Sequence, residues 1–254
     1  MPEGDDWKRK RVLFLHPNFP AQFKHLAAAA ASAGHETVFL CQTHYGRKLP
    51  GVKRLKLKGV CGIEYLKDLG GNQLSRTATL ADQYRTGLLQ LKKKDWNPDV
   101  IISHSGWGCG LHIRELWPHC RHIAYVEWWF DPQSDFFKYD PENKELNLSS
   151  EQAHKSWLRN QALALELVNA DAIVAPTRWQ AAQLPKILKE RCLVIHDGID
   201  LERFRPNPRS RIGTSPVLTY GTRGMEPMRA FPQFIRSLPD LLKTHNNLRV
   251  KIAG

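Results

Sequence analysis

The feature of this sequence that most limits its fold is a repeated alternation of short apolar runs with longer amphipathic segments. The apolar runs are rich in Val, Ile and Leu, which is typical of strands buried on both faces of a parallel sheet. The predicted strands are Arg11–Leu15, Thr37–Leu40, Val100–Ser103, Ile123–Val126, Ala172–Val174 and Cys192–Ile195. The predicted helices are Ala21–Ala33, Arg76–Lys94, Gln152–Asn169 and Arg178–Leu188, the last of them broken at Pro185. This order predicts an α/β fold with a parallel, Rossmann-like sheet.

A second, shorter domain is predicted after Pro208. A linker is followed by a strand at Val217–Tyr220, a helix at Arg229–Thr244 and a strand at Arg249–Ala253. We therefore divide the chain into domains at residues 1–208 and 209–254. A β-α-β unit with only two strands cannot bury both faces of its own sheet. We expect this second domain to be truncated, or to be completed by another chain.

The junction of the two predicted domains contains a distinctive segment, Val194–Pro206, with the sequence VIHDGIDLERFRP. Asp197-Gly198 is a turn dipeptide that follows a strand, and a Phe-x-Pro element comes six residues later. The segment resembles the corresponding part of glycosyltransferase family 4, whose members have the GT-B fold of two Rossmann-like domains. An ordinary Asp-Gly turn before a linker is the alternative explanation. The resemblance implies that Asp197 and Gly198 border an interdomain cleft, and it extends from Val12 to Gly254.

The resemblance implies an activity as well as a fold. Family members transfer a sugar from a nucleotide-sugar donor to an acceptor hydroxyl, here on a glycan or a lipid-linked molecule, with retention of anomeric configuration. They generally need no metal, and the sequence has no Asp-x-Asp pair to hold one. The chain ends before the pair of glutamates that holds the donor in the family. We therefore expect that transfer activity is weakened or absent in a chain of this length.

Several candidate acceptor-binding residues lie in loops after the predicted strands. The segment His16-Pro17-Asn18-Phe19-Pro20 resembles the start of a subset of the family, but it lacks the glycines that cradle donor phosphates in many members. A rigid strand-to-helix turn would also explain its two prolines. Aromatic rings offer flat apolar faces to sugars, so Trp107 and Trp128 are further candidates. The predicted acceptor-binding residues are His16, Asn18, Phe19, Trp107 and Trp128.

The candidate catalytic residues are His104 and Glu127, each at or just after the end of a predicted strand. His104 corresponds to a strand-end histidine in the family, and a satisfied polar group is the alternative. Glu127 stands where many members have a histidine. A carboxylate there could orient the acceptor or act as a general base, although it could equally cap an aromatic core cluster. The glycines that follow His104 match a dinucleotide-binding fingerprint poorly, because Leu111 occupies the third glycine position.

The candidate donor-phosphate residues are Gly221, Arg223 and Arg229. They resemble a Gly-Arg element and a Lys-Gly element of the family, with one inserted residue and with Arg in place of Lys. Arginine can bind phosphate through two parallel hydrogen bonds. A basic, solvated turn is the alternative. Earlier in the chain, Thr177 is predicted to cap the helix that follows it.

The net charge of +12 favours acidic partners, which include nucleotide phosphates and anionic lipid. The five cysteines are scattered, so free thiols are expected rather than disulfides or a zinc site. The first residues are polar and charged, so no secretory leader is expected. These features predict a cytoplasmic protein, in peripheral contact with an anionic membrane at its inner face.

Three rival functions remain open from the sequence. The first is a non-catalytic carbohydrate-binding module of the same fold, or one completed by a partner chain. The second is a nicotinamide-dependent oxidoreductase, which the incomplete glycine fingerprint disfavours. The third is a nucleic-acid-binding protein, which is supported by charge alone, so no nucleic acid partner is predicted.

Overall fold

The computed structural model describes residues 8–57, 73–137, 140, 142, 149–206 and 215–254. Its main element is a seven-stranded, wholly parallel sheet with the strand order β3-β2-β1-β4-β5-β6-β7. The strands are β1 Arg11–Leu15, β2 Glu36–Cys41, β3 Val52–Lys56, β4 Val100–His104, β5 Arg121–Tyr125, β6 Ala172–Ala175 and β7 Cys192–Val194. The six predicted strands are confirmed to within two residues at each end, and the Rossmann-like α/β fold is confirmed as well.

The helices of this sheet domain connect successive strands. They are α1 Lys24–Ser32, α2 Gln73–Lys93, α3 Ile113–Leu116, α4 Ser150–Leu158, α5 Asn160–Asn169, α6 Arg178–Ala182 and α7 Lys186–Lys189. The single helix predicted over residues 152–169 is wrong in one respect, because a turn at Arg159 separates α4 from α5. Asn160 begins α5 and exchanges two hydrogen bonds with the backbone of Phe130, at 2.9 and 2.7 Å. This side chain therefore fixes the start of α5 against the segment that follows β5.

Two of the helix-end predictions are confirmed. The Gln180 backbone N–H donates to Thr177 Oγ1 at 3.2 Å, so Thr177 caps α6 as expected. The chain leaves the helix after Ala182 and resumes it after Pro185, as the proline predicts. Both helix ends could be predicted from the sequence because neither depends on a distant part of the chain.

The two faces of the sheet are covered by different helices. We name them the α1 face and the α2 face. Leu13, Leu15 and Ile101 are fully buried on the α2 face, where they pack with Tyr84 and Leu88 of α2. On the same face, α5, α6 and α7 pack over β5 and β6.

The α1 face carries the alternate residues of the same strands. Phe14 and Phe39 are fully buried there with Phe23 and Ala27. Because side chains alternate along a strand, each predicted strand divides its residues between the two faces. Towards β5 and β6 the α1 face is less well covered, and Ile123 and Val174 are only partly buried.

The chain forms two compact units. The first contains residues 1–132 and 150–197, and the second contains residues 133–149 and 198–254. The second unit holds a parallel pair, β8 Val217–Gly221 and β9 Arg249–Ala253, joined by helix α8 Phe231–Thr244. Tyr220 of β8 packs on Phe234 of α8, with ring centroids 4.6 Å apart. The predicted domain boundary at residues 208 and 209 lies outside the described residues.

The described cysteines, Cys41, Cys109, Cys120 and Cys192, form no disulfide bond, and Cys61 lies outside the described residues. None of the helices that the structure describes combines the length and apolar character that a membrane span needs. Nor do the described residues contain a group of three or more His, Cys, Asp and Glu side chains that could hold a metal ion.

Candidate active site of the first unit

Three of the predicted site residues lie together at the carboxyl ends of neighbouring strands. His16 follows β1, His104 ends β4, and Glu127 follows β5 by two residues. Their strands are adjacent in the sheet, and all three side chains lie on the α1 face. The carboxyl ends of parallel strands form the usual ligand crevice of an open α/β sheet. The sequence prediction of these three positions is therefore consistent with one shared site, which we call the His–Glu cluster.

His104 is held at both of its ring nitrogens. Nδ1 lies 2.9 Å from the backbone oxygen of Ser105, and Nε2 lies 3.2 Å from Glu127 Oε2. A carbonyl oxygen only accepts, so Nδ1 carries a proton. The other ring nitrogen, Nε2, faces the carboxylate directly. The His104 ring is buried, whereas the Glu127 side chain is 47% exposed.

Gln22 completes the support of Glu127, and sequence reasoning missed it. Its amide Nε2 donates to Glu127 Oε2 at 3.1 Å. Gln22 belongs to a short 3-10 helix, Ala21–Phe23, which leads directly into α1. Because the contacts from His104 and Gln22 converge on one oxygen, they fix the orientation of the carboxylate while half of its side chain stays open to solvent.

His16 is a neutral member of the cluster. Its ring lies edge-on to that of His104, with the centroids 4.8 Å apart. Burial and the neighbouring His104 lower the pKa of His16 to about 3. The Asn18 backbone N–H donates to His16 Nδ1 at 2.8 Å, so the remaining proton of the neutral ring is on Nε2. His16 can therefore donate one hydrogen bond from a fixed position without bringing a charge.

The other predicted acceptor residues divide into surface and core positions. Asn18 is exposed and accepts a hydrogen bond from Thr43 Oγ1 at 2.6 Å. Trp107 is 44% exposed. The Trp128 ring lies 5.5 Å from that of Trp179, between centroids. Phe19 does not fit its predicted role, because it has no exposed surface and packs edge-on to Phe39 in the core.

Asp197 and Tyr125 form a pair on the same face of the sheet. The Tyr125 hydroxyl donates to the two carboxylate oxygens of Asp197 at 2.9 and 3.1 Å. Burial and this carboxylate both raise the pKa of Tyr125, so the hydroxyl keeps its proton. Gly198 has a φ of +80°, which glycine adopts without strain and which the predicted turn requires.

The predicted donor-phosphate residues lie in the second unit, at the end of β8 and after it. Gly221 is the last residue of β8, and Arg223 is exposed in the following loop. Arg229 ends a 3-10 helix just before α8, and its Nε lies 3.5 Å from Glu226 Oε2. Its backbone oxygen accepts a hydrogen bond from the Tyr220 hydroxyl at 2.7 Å. Both arginines are therefore near the carboxyl end of β8 and the N-terminus of a 14-residue helix.

A second polar cluster lies on the α2 face, and the sequence analysis did not find it. Ser103 Oγ donates to Glu166 Oε1 at 2.6 Å and lies 2.8 Å from His122 Nε2. Because the hydroxyl proton is used on Glu166, His122 Nε2 is the donor to Ser103. Burial lowers the pKa of His122 to about 4 and raises that of Glu166 to about 7. We call these three residues the Ser–His–Glu network.

The Ser–His–Glu network explains one of the glycines after β4. A Cβ at Gly110 would lie 2.2 Å from Glu166 Oε1, which is much closer than any non-bonded contact allows. Glycine at this position therefore lets the loop pass over the buried carboxyl group. A steric requirement of this kind accounts for Gly110 without any dinucleotide.

The fold and the sequence place the chain among the glycosyltransferases. The model of the glycosyl transferase family 4 group matches residues 33–204. The chain belongs to this family. No curated protein matches it.

Solved structures of similar fold are distant in sequence. The catalytic domain of starch synthase IV from Arabidopsis thaliana, bound to ADP and acarbose, has a TM-score of 0.56 and 11% identity, over 96% of this chain and 74% of that one. Phytolacca americana UGT2, complexed with UDP-2-fluoro-glucose and pterostilbene, has a TM-score of 0.53 and 14% identity, over 85% of this chain and 60% of that one. The calicheamicin glycosyltransferase CalG4 has a TM-score of 0.52 and 13% identity, over 96% of this chain and 64% of that one. The chain thus spans 60 to 74% of the length of these structures, and the likeness concerns the fold.

Proposed function

We propose that this protein is a retaining glycosyltransferase, which transfers a sugar from a nucleotide-sugar donor to a hydroxyl of a glycan or a lipid-linked acceptor. The observation that carries the proposal is the contact between His104 Nε2 and Glu127 Oε2 at 3.2 Å, at the carboxyl ends of adjacent strands in a family 4 chain. A buried imidazole that supports a half-exposed carboxylate is a suitable arrangement for orienting a hydroxyl.

In this proposal Glu127 acts on the acceptor. The acceptor hydroxyl donates a hydrogen bond to the carboxylate, which directs the oxygen towards the anomeric carbon of the sugar. Glu127 takes up the hydroxyl proton as the acceptor oxygen bonds to the anomeric carbon and the bond from that carbon to the diphosphate breaks. Retention requires the oxygen to arrive on the face of the sugar that the diphosphate leaves. His104 and Gln22 stabilise the carboxylate position. His16 contributes a neutral donor, and Asn18, Trp107 and Trp128 contact the remainder of the acceptor.

Gly221, Arg223 and Arg229 are proposed to hold the donor diphosphate. The diphosphate becomes more negative as its bond to the sugar breaks. Guanidinium groups and a helix N-terminus aimed at it lower the barrier to that step. Arg223 and Arg229 supply the positive charge, and Gly221 permits close approach of the backbone. The proposed chemistry therefore uses arginine charge and no bound metal.

The proposed setting is the cytoplasm, at the inner face of a membrane. The support for membrane contact is the net charge of +12, which favours binding to anionic lipid. A lipid-linked acceptor would be presented at such a surface. Sedimentation with vesicles that contain phosphatidylserine, compared with neutral vesicles, tests this part of the proposal.

The donor part is tested by isothermal titration of this chain with UDP, GDP, ADP and their common sugar conjugates. We expect one nucleotide to bind with a 1:1 stoichiometry. Arg223→Ala and Arg229→Ala should each weaken binding by about 10- to 100-fold, because each removes a charge-assisted hydrogen bond worth about 1.5–3 kcal/mol.

Arg249→Ala is the matched control, since Arg249 is an exposed arginine of β9 in the same unit. It should leave nucleotide affinity unchanged. If none of the nucleotides binds to a protein that melts cooperatively, the transferase proposal fails for this chain. Acceptor binding without donor binding would then support the non-catalytic module of the same fold.

A further inference from the structure

A basic segment runs from the end of β2 through the edge strand β3. Between Thr37 and Ile63 the sequence has no Asp or Glu, and its charged residues are Arg47, Lys48, Lys53, Arg54, Lys56 and Lys58. The structure describes the first five of these. None of the ion pairs among the described residues involves any of the five. Their positive charge is therefore not neutralised by a carboxylate in the part of the chain that the structure describes.

The strand register brings part of this segment into line with the His–Glu cluster. Lys56 pairs with Cys41 of β2, and the same row continues through β1 and β4 to His16 and His104. Arg54 shares the face of Lys56, because it lies two residues earlier in the strand. Three strand spacings separate β3 from β4, so the backbones of Lys56 and His104 are about 14 Å apart. These basic residues and the His–Glu cluster therefore border the same face and the same edge of the sheet.

Arg54 is held in place without a described acidic partner. Its guanidinium lies over the Phe19 ring, 5.7 Å from the centroid, and Nη1 donates to the backbone oxygen of Arg47. Arg54 is half-buried, whereas Arg47 and Lys56 are exposed. Desolvation, followed by the charges of Arg54 and Lys56, lowers the pKa of His44, so both charges act on the loop after β2. A guanidinium that is already oriented loses little freedom when it binds an anion. We call Arg47, Arg54 and Lys56 the β3 basic cluster.

We propose that the β3 basic cluster is a phosphate-binding subsite for the acceptor, so that the acceptor carries a phosphate group as well as the reacting hydroxyl. This inference rests on the proposed function, and it narrows the acceptor to an anionic molecule. The hydroxyl lies at Glu127, and the phosphate lies towards β3, about 14 Å along the row from His104. Lysines also protect edge strands from aggregation, but that use applies to both faces of β3 and needs no oriented arginine.

The test compares glucose 6-phosphate with glucose, each titrated into the protein at low ionic strength without any nucleotide. The two probes share one sugar, so a difference in affinity reports the phosphate group. We expect glucose 6-phosphate to bind at least about tenfold more tightly than glucose, because guanidinium and ammonium groups form charge-assisted hydrogen bonds with phosphate. Equal affinities for the two probes, or no binding of glucose 6-phosphate to the folded protein, would overturn the proposal.

Lys56→Ala removes one charge from the β3 basic cluster, and Lys53→Ala is its matched control. Both are exposed lysines of the same strand, so we expect both variants to fold. Lys53 pairs with Val38, which is buried on the α2 face, so its side chain lies on the opposite face from Lys56. Lys56→Ala should weaken glucose 6-phosphate binding about tenfold, whereas Lys53→Ala should change it less than about twofold. Arg54→Gln keeps a donor for the Arg47 backbone oxygen and should weaken binding at least as much as Lys56→Ala.

Equal losses in Lys53→Ala and Lys56→Ala would mean that the probe responds to the charge of the edge strand in general, and this would overturn the proposal. A loss confined to Arg229→Ala would place the probe at the proposed donor site, with the same consequence. Sedimentation with phosphatidylserine vesicles tests the other source of phosphate. If Lys56→Ala weakens vesicle binding but not glucose 6-phosphate binding, the cluster contacts lipid headgroups and the acceptor subsite is ruled out.

The failure of the proposed donor site has a different signature. In that case nucleotides do not bind, but the preference for glucose 6-phosphate and its loss in Lys56→Ala persist. Failure of the β3 basic cluster alone gives the reverse pattern, in which a nucleotide binds and the two sugar probes do not differ.

Discussion

The two faces of strands β4 and β5 carry similar chemical groups that do different work. On the α1 face, His104 contacts Glu127, whose side chain is 47% exposed. On the α2 face, His122 and Glu166 are joined through Ser103, and Glu166 is only 1% exposed. The carboxylate that meets solvent can meet a substrate, whereas the buried one can only organise the protein around it. Exposure, more than residue type, separates a candidate site from a structural network.

The largest effect is expected on transfer activity when Glu127 is changed to Gln. The substitution keeps a hydrogen-bond acceptor for Gln22 but removes the base, so the transfer rate should fall by about 10²- to 10⁴-fold. The free energy of unfolding should change by about 1 kcal/mol or less, because the pair with His104 is partly exposed and Gln keeps an acceptor for Gln22. Initial rates with the donor identified by titration provide the measurement.

Glu190→Gln is the control for Glu127→Gln, since Glu190 is a carboxylate of the same unit with a 64% exposed side chain. Its rate should equal that of the wild type. A Glu127→Gln variant that retains full transfer would remove Glu127 from the mechanism and weaken the contrast between the two faces.

The next effect concerns the pH dependence of stability in Glu166→Gln. The pKa of Glu166 is raised to about 7 in the folded protein, so the proton is held more tightly there than in the unfolded chain. The associated stability is fully present below the ordinary glutamate pKa of about 4.5, and it is lost as pH rises through about 7. The variant has no such loss. The difference in free energy of unfolding between the variant and the wild type should therefore shift in favour of the variant by up to about 3 kcal/mol between pH 4.5 and pH 8.

Urea unfolding of both proteins between pH 4.5 and 8 measures this difference. His122 titrates as well, because its pKa is lowered to about 4. Stability linked to His122 is present above the ordinary histidine pKa and is lost as pH falls from about 6.5 through about 4. The variant should therefore gain stability up to about pH 6.5 and then level off. Parallel curves for the two proteins would show that Glu166 does not titrate in this range.

A smaller loss of stability is expected for Ser103→Ala. Removal of the hydroxyl leaves His122 Nε2 and Glu166 Oε1 without their shared partner in a buried site, which should destabilise the protein by about 1–3 kcal/mol. The urea midpoint at pH 7 measures the loss. The transfer rate should change far less than in Glu127→Gln, because the network and the His–Glu cluster lie on opposite faces of the sheet. Wild-type stability in this variant would argue against a structural role for the network.

The smallest effect is the one expected for His16. Its pKa is lowered to about 3, so its ring should stay neutral from pH 5 to pH 8 and its side-chain NMR shifts should not change over that range. His16→Asn serves to assign the resonances. If the His16 resonances titrate with a midpoint near the ordinary histidine pKa of about 6.5, the ring is not the neutral donor assigned to this residue.

Much of the fold could be predicted because its signals are local. The apolar runs gave the strands, and the alternation of side chains along them gives His104 and Glu127 the same face once the parallel register is known. Phe19 was assigned to the acceptor through the resemblance of its segment to the family, whereas the turn between Pro17 and Pro20 directs its ring into the core.

The residues that the sequence analysis missed depend on contacts between distant parts of the chain. Gln22 lies 105 positions before Glu127, so no local pattern links them. Glu166 did leave a signal, because Leu163 and Leu167 are fully or almost fully buried and Glu166 falls on the same side of α5. An acidic residue on the apolar side of a helix indicates a buried partner, and here that partner is Ser103.

The side chains of β4 alternate between the two faces of the sheet, and this limits the insertions and deletions that the strand can tolerate. Ser103 and His104 are consecutive, and each belongs to a different cluster. Deletion or insertion of a single codon within Val100–His104 would exchange their faces, so that an imidazole would enter the interior and a hydroxyl would lie beside Glu127. Point substitutions can alter either cluster separately, but a shift of one residue disrupts both at once. Length variation in this protein should therefore be confined to the loops, and β4 should keep its residue count.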